Sequence, residues 1–356
     1  MAAELLLLVG TYTQPEPHVA TGGGAGIVTC AFDPATGKLE QRSVFSNILN
    51  PSYLTIDAER RRVFAVSENI AGEGAVYQFD WDAGGVLVPV ARQDSHGVAT
   101  CHVGLLPDER VAAAAYVSGR LAIFPLEQGR LAPASRVFQY AGTGPNPERQ
   151  EASHAHQTVV APDARWFYVC DLGADCVWQH DMAAMAEPCG WPMPPGHGPR
   201  HLVFHPGLPL AYVLGELTGA VAVCDWNPTT GELRVAATTP VQDEDAAAAA
   251  IRLHPSRQTL WISVRKHARL VAFHLDEHGQ PGAATEMTLA TGEPRDFSIS
   301  PDGRWLISAN QSADELVVVE LEPATGQPTG RPFSRFALRT PVCVAFLPAV
   351  GSVPAT

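Results

Sequence analysis

Short runs of apolar and β-branched residues alternate along this chain with Pro, Asp and Gly, always in the same order. An apolar run meets a Pro or acidic turn, two more apolar runs follow, and a Gly-closed hairpin ends the unit. The turn reads Asp57-Ala58, Pro107-Asp108, Pro162-Asp163, His205-Pro206, His254-Pro255, Pro301-Asp302 and Leu347-Pro348. These markers recur about every 50 residues, the length of a propeller blade. The third run of each unit, such as Gly74 to Phe79, Leu121 to Phe124, Ala220 to Val223 or Leu316 to Val319, is short, apolar and bounded by turn formers, so it reads as a strand. The hairpins at Asp33, Asn227 and Glu322 continue as Pro-x-Thr-Gly, with Pro presetting one dihedral and Gly supplying a positive φ.

The last marker is followed by only a short tail, so the final blade has to borrow strands. The N-terminal runs Leu5 to Gly10, Gly26 to Phe32 and Leu39 to Phe45 look like second, third and fourth strands with no first, and Pro341 to Phe346 supplies it. The expected fold is therefore all-β, a seven-bladed β-propeller whose last blade joins both ends of the chain and leaves no free sheet edge.

Composition narrows the picture further. The 356 residues are 46% hydrophobic and 17% charged, with 31 Gly and 30 Pro, and the unbroken repeat offers no linker, so one domain over 1–356 is expected. Met1 to Gly10 is apolar but lacks a basic leader, is too short to span a bilayer and is needed as a strand; a cytoplasmic protein with no membrane partner is expected. The seven cysteines form no CxxC pair and read as small buried hydrophobes of a reducing compartment. A formal net charge of −13 without any basic run argues against nucleic-acid binding. Nothing in a propeller demands self-association, so a monomer is expected.

Propeller geometry then selects the chemistry. Strand one of each blade runs towards the turn marker and strand two returns, so residues about six before and ten after the marker share one face near the channel. The first set is Ser52, Cys101, His156, Arg200, Ala249, Arg295 and Val342. The second is Glu68, Val117, Asp171, Glu216, Arg265, Asn310 or Gln311, and Thr11. His154, His201, Arg252, Lys266 and Asp296 stand close by. One mouth would thus gather several arginines, histidines and carboxylates, an arrangement suited to a small anion. The bland alternative is a ring of blade-to-blade salt bridges; the arginines outnumber the nearby acids Asp171 and Glu216, which favours a ligand site.

His154-Ala155-His156 has the spacing at which two side chains of an extended segment face one way and could bind a metal. No third ligand stands at a diagnostic spacing, so neither a metal nor another cofactor is expected, and an acid, base or hydrogen-bonding role is preferred. There is no G-x-S-x-G elbow, so water is a better nucleophile than serine.

Gly10-Thr11-Tyr12-Thr13, Ser153-His154-Ala155-His156, Asp171 to Asp175, Gly198-Pro199-Arg200-His201, Gly215-Glu216-Leu217, Pro294 to Gly303 and Ala309-Asn310-Gln311 together resemble the seven-bladed lactonase family of 6-phosphogluconolactonases and carboxymuconate-lactonising enzymes. The resemblance implies a metal-independent site made of His154 or His156, Arg200, Glu216 and a later arginine, Arg265 or Arg295. His201, Asp171, Asn310 and Gln311 are expected to help bind substrate. Blade five departs from the pattern: no glutamate precedes Ile251, and Val264 replaces an asparagine. The expected activity is hydrolysis of a small anionic sugar lactone, most like 6-phosphogluconolactone. The alternatives are cyclisation of a carboxylated muconate at the same residues, and a non-enzymatic binding platform. The platform reading is disfavoured because the Trp-Asp signature occurs once, at Trp81-Asp82.

Overall fold

The computed structural model describes residues 4–17, 19–20, 22–241, 247–289, 292–331 and 334–348. Seven antiparallel sheets follow one another along the chain. Blade one runs from Leu54–Asp57 to Leu87–Val98, blade two from Thr100–Leu106 to Arg136–Gln139 and blade three from Ala155–Val160 to Cys189–Pro192. Blade four runs from Pro199–Phe204 to Leu233–Thr239, blade five from Ala248–Leu253 to Pro281–Thr288 and blade six from Pro294–Ile299 to Ser334–Ala337. Blade seven takes Pro341–Leu347 as its first strand and Leu5–Thr11, Ile27–Asp33 and Lys38–Phe45 as the rest. Leu8 pairs with Ala345 and Val9 with Val344, so the ring closes by joining the two ends of the chain, as the sequence pattern requires. Blade two departs from four strands because its outer edge is split between Arg130–Leu131 and Arg136–Gln139.

The second strands are mostly buried, and wholly so in Trp166–Asp171, Leu210–Gly215 and Trp305–Asn310. Both of their faces pack against neighbouring blades, which explains why they read as continuous apolar runs without alternation. Aromatic residues on these strands also fix blade to blade. Tyr168 Oη donates to Gly231 O at 2.6 Å, Trp261 Nε1 to Gly326 O at 2.9 Å and Trp305 Nε1 to Pro34 O at 3.0 Å. In each case the acceptor lies in the Pro-x-Thr-Gly hairpin of the following blade. Gly37, Gly231 and Gly326 have φ of 71°, 73° and 81°, and a Cβ on Gly326 would collide with His254. The hairpin glycine therefore serves the turn and the interblade contact together.

Candidate active site

A β-bulge recurs in strand one of the blades. Opposite strand two the register slips between Thr100 and His102, between Ala155 and Gln157, between Pro199 and His201, and between Pro294 and Asp296. The extra residues are Cys101, His156, Arg200 and Arg295. The same slip places Val342 in blade seven and the Ala249-Ala250 pair in blade five. A bulge re-aims a side chain out of the ladder, and in blades two, three, four and six it leaves one residue that lines the channel cavity. Cys101, His156, Arg200 and Arg295 all line a cavity of ≈ 780 Å³, together with Glu68, Tyr116, Arg149, Glu216, Arg265 and Lys266.

Glu216, just past strand two of blade four, is the electrostatic hub. Its Oε1 accepts from Arg149 at 2.7 Å, and its Oε2 lies 2.9 Å from both Arg200 Nε and Arg265 Nη2. The Arg200 contact has ion-pair distance without hydrogen-bond alignment. Burial works to raise the Glu216 pKa, but Arg265, Arg200 and Arg149 together hold it well below the usual carboxylate range. A carboxylate clamped by three guanidinium groups is a weak base. Arg200 is itself so buried that its pKa falls to about 10, with Arg265 adding repulsion; it remains a cation at neutral pH. One of its Nη1 bonds goes to the carbonyl of Ala249. Arg295 packs over the Tyr12 ring at 5.3 Å.

His156 is the histidine that lines both cavities. Burial, reinforced by Arg200, pushes its pKa well below that of free histidine, so the ring is neutral and able to accept a proton at pH 7. A smaller cavity of ≈ 10 Å³ lies beneath, lined by His156, Arg200 and Arg295 again and also by Ser52, His201 and Asp296. His102, Tyr53 and His201 form a three-ring cluster, with ring separations of 4.1 Å for Tyr53 and His102, 6.1 Å for Tyr53 and His201 and 6.2 Å for His102 and His201. Lower still, Arg252 binds Asp296 at 2.9 Å, and a separate opening of ≈ 350 Å³ follows.

A match to the family model "Lactonase, 7-bladed beta-propeller" spans residues 6–346. The chain belongs to the seven-bladed β-propeller lactonase family. A 6-phosphogluconolactonase of Bacillus subtilis is 30% identical over 95% of this chain and 97% of its own. Another from Formosa agariphila is 24% identical over 90% and 94%. The solved structure of a periplasmic gluconolactonase from Pseudomonas aeruginosa superposes with a TM-score of 0.89 at 29% identity, covering 98% of this chain and all of that one. A relative in the periplasm means that family membership does not set the compartment; among the described residues no helix is long and apolar enough to cross a membrane.

In this lactonase the geometry sorts the candidate residues. His156, Arg200, Glu216, Arg265 and Arg295 meet in the large cavity, and His201 lines the small one. His154 is turned elsewhere: its ring stacks on Tyr116 at 4.4 Å, Nδ1 contacts Tyr116 O at 3.0 Å and Nε2 contacts Glu151 at 3.1 Å. Asp171 accepts from the Ser153 hydroxyl, from the His154 amide at 2.7 Å and from Trp178 at 2.8 Å, all within blade three. Asn310 accepts from Ser308 at 2.9 Å, and Gln311 receives Arg295 at 3.4 Å. None of these four lines the cavities.

Tyr116 and Arg149 are among the lining residues that the fixed offsets did not select. Tyr116 stands one position before Val117, the residue the fixed offset selected, and both line the cavity from the turn that follows Arg110–Ala115. Arg149 lies in the long loop between Gln139 and Ala155, outside the repeat. Buried Gln150 anchors that loop by donating to Leu172 O at 2.9 Å. An unusually long connection was the one available signal.

Proposed function

We propose that this lactonase hydrolyses a small anionic sugar lactone of the 6-phosphogluconolactone kind, with His156 as general base and arginine stabilising the oxyanion. The observation that carries the reading is a neutral, buried histidine beside Arg200 and Arg295 on the floor of a cavity in which Glu216, the carboxylate clamped by three arginines, is too acidic to serve as base. Attack of water on the ester carbonyl places negative charge on its oxygen. A guanidinium fixed in advance against that charge lowers the barrier, because it binds the transition state more strongly than the neutral carbonyl. Arg200 is suited to this: its charge is buried and its side chain is held by Glu216 and Ala249.

Arg149, Arg265 and Lys266 stand nearer the mouth and take the phosphate or another terminal anion, a task suited to the planar guanidinium fork. Glu216 acts here as a spacer that holds three arginines at one point. We assign no metal step and place the protein in the cytoplasm, where a phosphorylated lactone would be retained.

The test is acid release above the spontaneous rate at neutral pH, with 6-phosphogluconolactone, gluconolactone and carboxymuconolactone in parallel, with and without chelator. Chelator-resistant hydrolysis that falls about 10²–10³-fold in Arg200→Ala supports the assignment. Preferential turnover of carboxymuconolactone would move it to the cyclase chemistry, and an Arg200→Ala variant with wild-type rates would defeat it.

A further inference from the structure

Three residues that line the small cavity beneath the arginine cluster each carry a buried polar atom with neither a hydrogen bond nor an ion pair: Ser52 Oγ, His156 Nδ1 and His201 Nδ1. Its ≈ 10 Å³ matches one water-sized sphere, and three polar partners are what a buried water ordinarily has. Uncompensated, each of these atoms would cost about 1–3 kcal/mol.

The protonation pattern of this cell follows from Arg200. Its Nη1 lies 3.3 Å from His201 Nε2, and a guanidinium has only donors. His201 Nε2 therefore accepts, and the neutral ring carries its proton on Nδ1, the buried nitrogen without a hydrogen-bond partner. Burial and then Arg200 hold the His201 pKa well below that of free histidine, so the ring stays neutral.

We propose that this cell binds the nucleophilic water: His201 Nδ1–H donates to its oxygen, and the water donates to His156 Nδ1 and to Ser52 Oγ. The proposal rests on the lactonase reading above and assigns that reading its water, its basic nitrogen and a positioning residue, His201. His156, Arg200, Arg295, Glu68 and Cys101 line both cavities, so the cell opens onto the floor on which substrate sits. During attack the water oxygen bonds to the carbonyl carbon while its proton passes to His156 Nδ1. Collapse of the tetrahedral adduct breaks the ring C–O bond, and His156 returns the proton to the leaving hydroxyl oxygen. The acid and the alcohol appear with no net change in oxidation state.

Three variants and one structure test this. Ser52→Val fills the cell with a methyl group, and His201→Leu removes the donor. Each is expected to lower kcat about 10²-fold with KM within about twofold. His201→Asn, whose amide nitrogen can stand where Nδ1 did, is expected to recover most of the loss. A crystal structure of the wild-type protein at high resolution should show one water within hydrogen-bond distance of Ser52, His156 and His201. No water there, or wild-type kcat in folded Ser52→Val and His201→Leu, overturns the proposal. An ordered water in a wild-type protein that opens no lactone would defeat the lactonase reading and the nucleophile role with it, leaving the water-binding contacts.

Discussion

Arg200 Nε stands 2.9 Å from Glu216 Oε2, although the two side chains leave different strands of blade four. Pro199 pairs with Gly215, so the residue after each partner emerges at the same end of the sheet, one at a bulge and one past the strand. Blade four alone therefore builds the central ion pair, and its neighbours add Arg149 and Arg265.

Removing the carboxylate charge should expose how much repulsion it holds in check. Glu216→Gln leaves Arg149, Arg200 and Arg265 facing one another, and breaking a buried pair from one side costs on the order of 3 kcal/mol. We expect a lower unfolding temperature that inorganic phosphate restores more fully than it raises that of the wild type. An equal phosphate effect in the two proteins would show that the arginines do not depend on Glu216.

The acid limb of the rate profile should report His156. The base acts when neutral, and its pKa is depressed by burial and then by Arg200, so kcat/KM should stay level through neutral pH and fall only well below pH 6.5. A bound anion favours the imidazolium, so the limb in kcat should lie at higher pH than the limb in kcat/KM. Arg200→Lys keeps the charge and should leave the limb low, whereas Arg200→Ala should move it up towards 6.5. A wild-type limb at or above 6.5 would remove His156 from the role of base.

Arg149 offers a way to ask whether the substrate is phosphorylated. It reaches both Glu216 and the hydroxyl of Tyr116, at 2.7 and 3.1 Å, and its side chain is 42% exposed, so it can turn towards a ligand at the mouth. Arg149→Ala should raise KM for 6-phosphogluconolactone about 10- to 100-fold, the worth of a hydrogen bond to a charged group, and change KM for gluconolactone little. Tyr116→Phe should produce a smaller effect in the same direction. Equal shifts for both lactones would place the phosphate elsewhere.

The ring and its closure were legible because each strand pattern and Pro-Asp turn repeats with the blade, and one period therefore predicts every blade. The same period located His156, Arg200, Glu216, Arg265 and Arg295, since each sits at a fixed offset from its marker. It did so without revealing the bulge that makes the offset work. The bulge at His156 also separates the two histidines of His154-Ala155-His156: simple alternation would point them the same way, yet His156 lines the channel cavity and His154 does not. Arg149 was illegible for a different reason. Its place depends on how Gln150 anchors a connecting loop, a tertiary contact with no sequence period.

Acid should destabilise the fold through its buried histidines before most carboxylates titrate. His180 is sealed between blades two and three, stacked on Phe167 at 4.6 Å with Nε2 2.6 Å from Tyr140 Oη, and burial, aided by Arg136, pulls its pKa to about 3. His102 reaches about 3 through burial and the nearby Arg252 and Arg200. Unfolded, each takes up a proton below about pH 6.5; folded, each does not until about pH 3. The unfolded state thus binds more protons between these limits, and stability falls with pH by up to about 1.4 kcal/mol per unit for each histidine. Nothing is lost through these groups above pH 7, and the loss levels off below pH 3. Guanidinium unfolding at pH 7.5, 6.0 and 5.0 should show this slope, and His180→Gln, which can still hydrogen-bond Tyr140, should be less stable at pH 7.5 yet show a shallower decline. An unchanged slope in that variant would mean that His180 is protonated within the native protein.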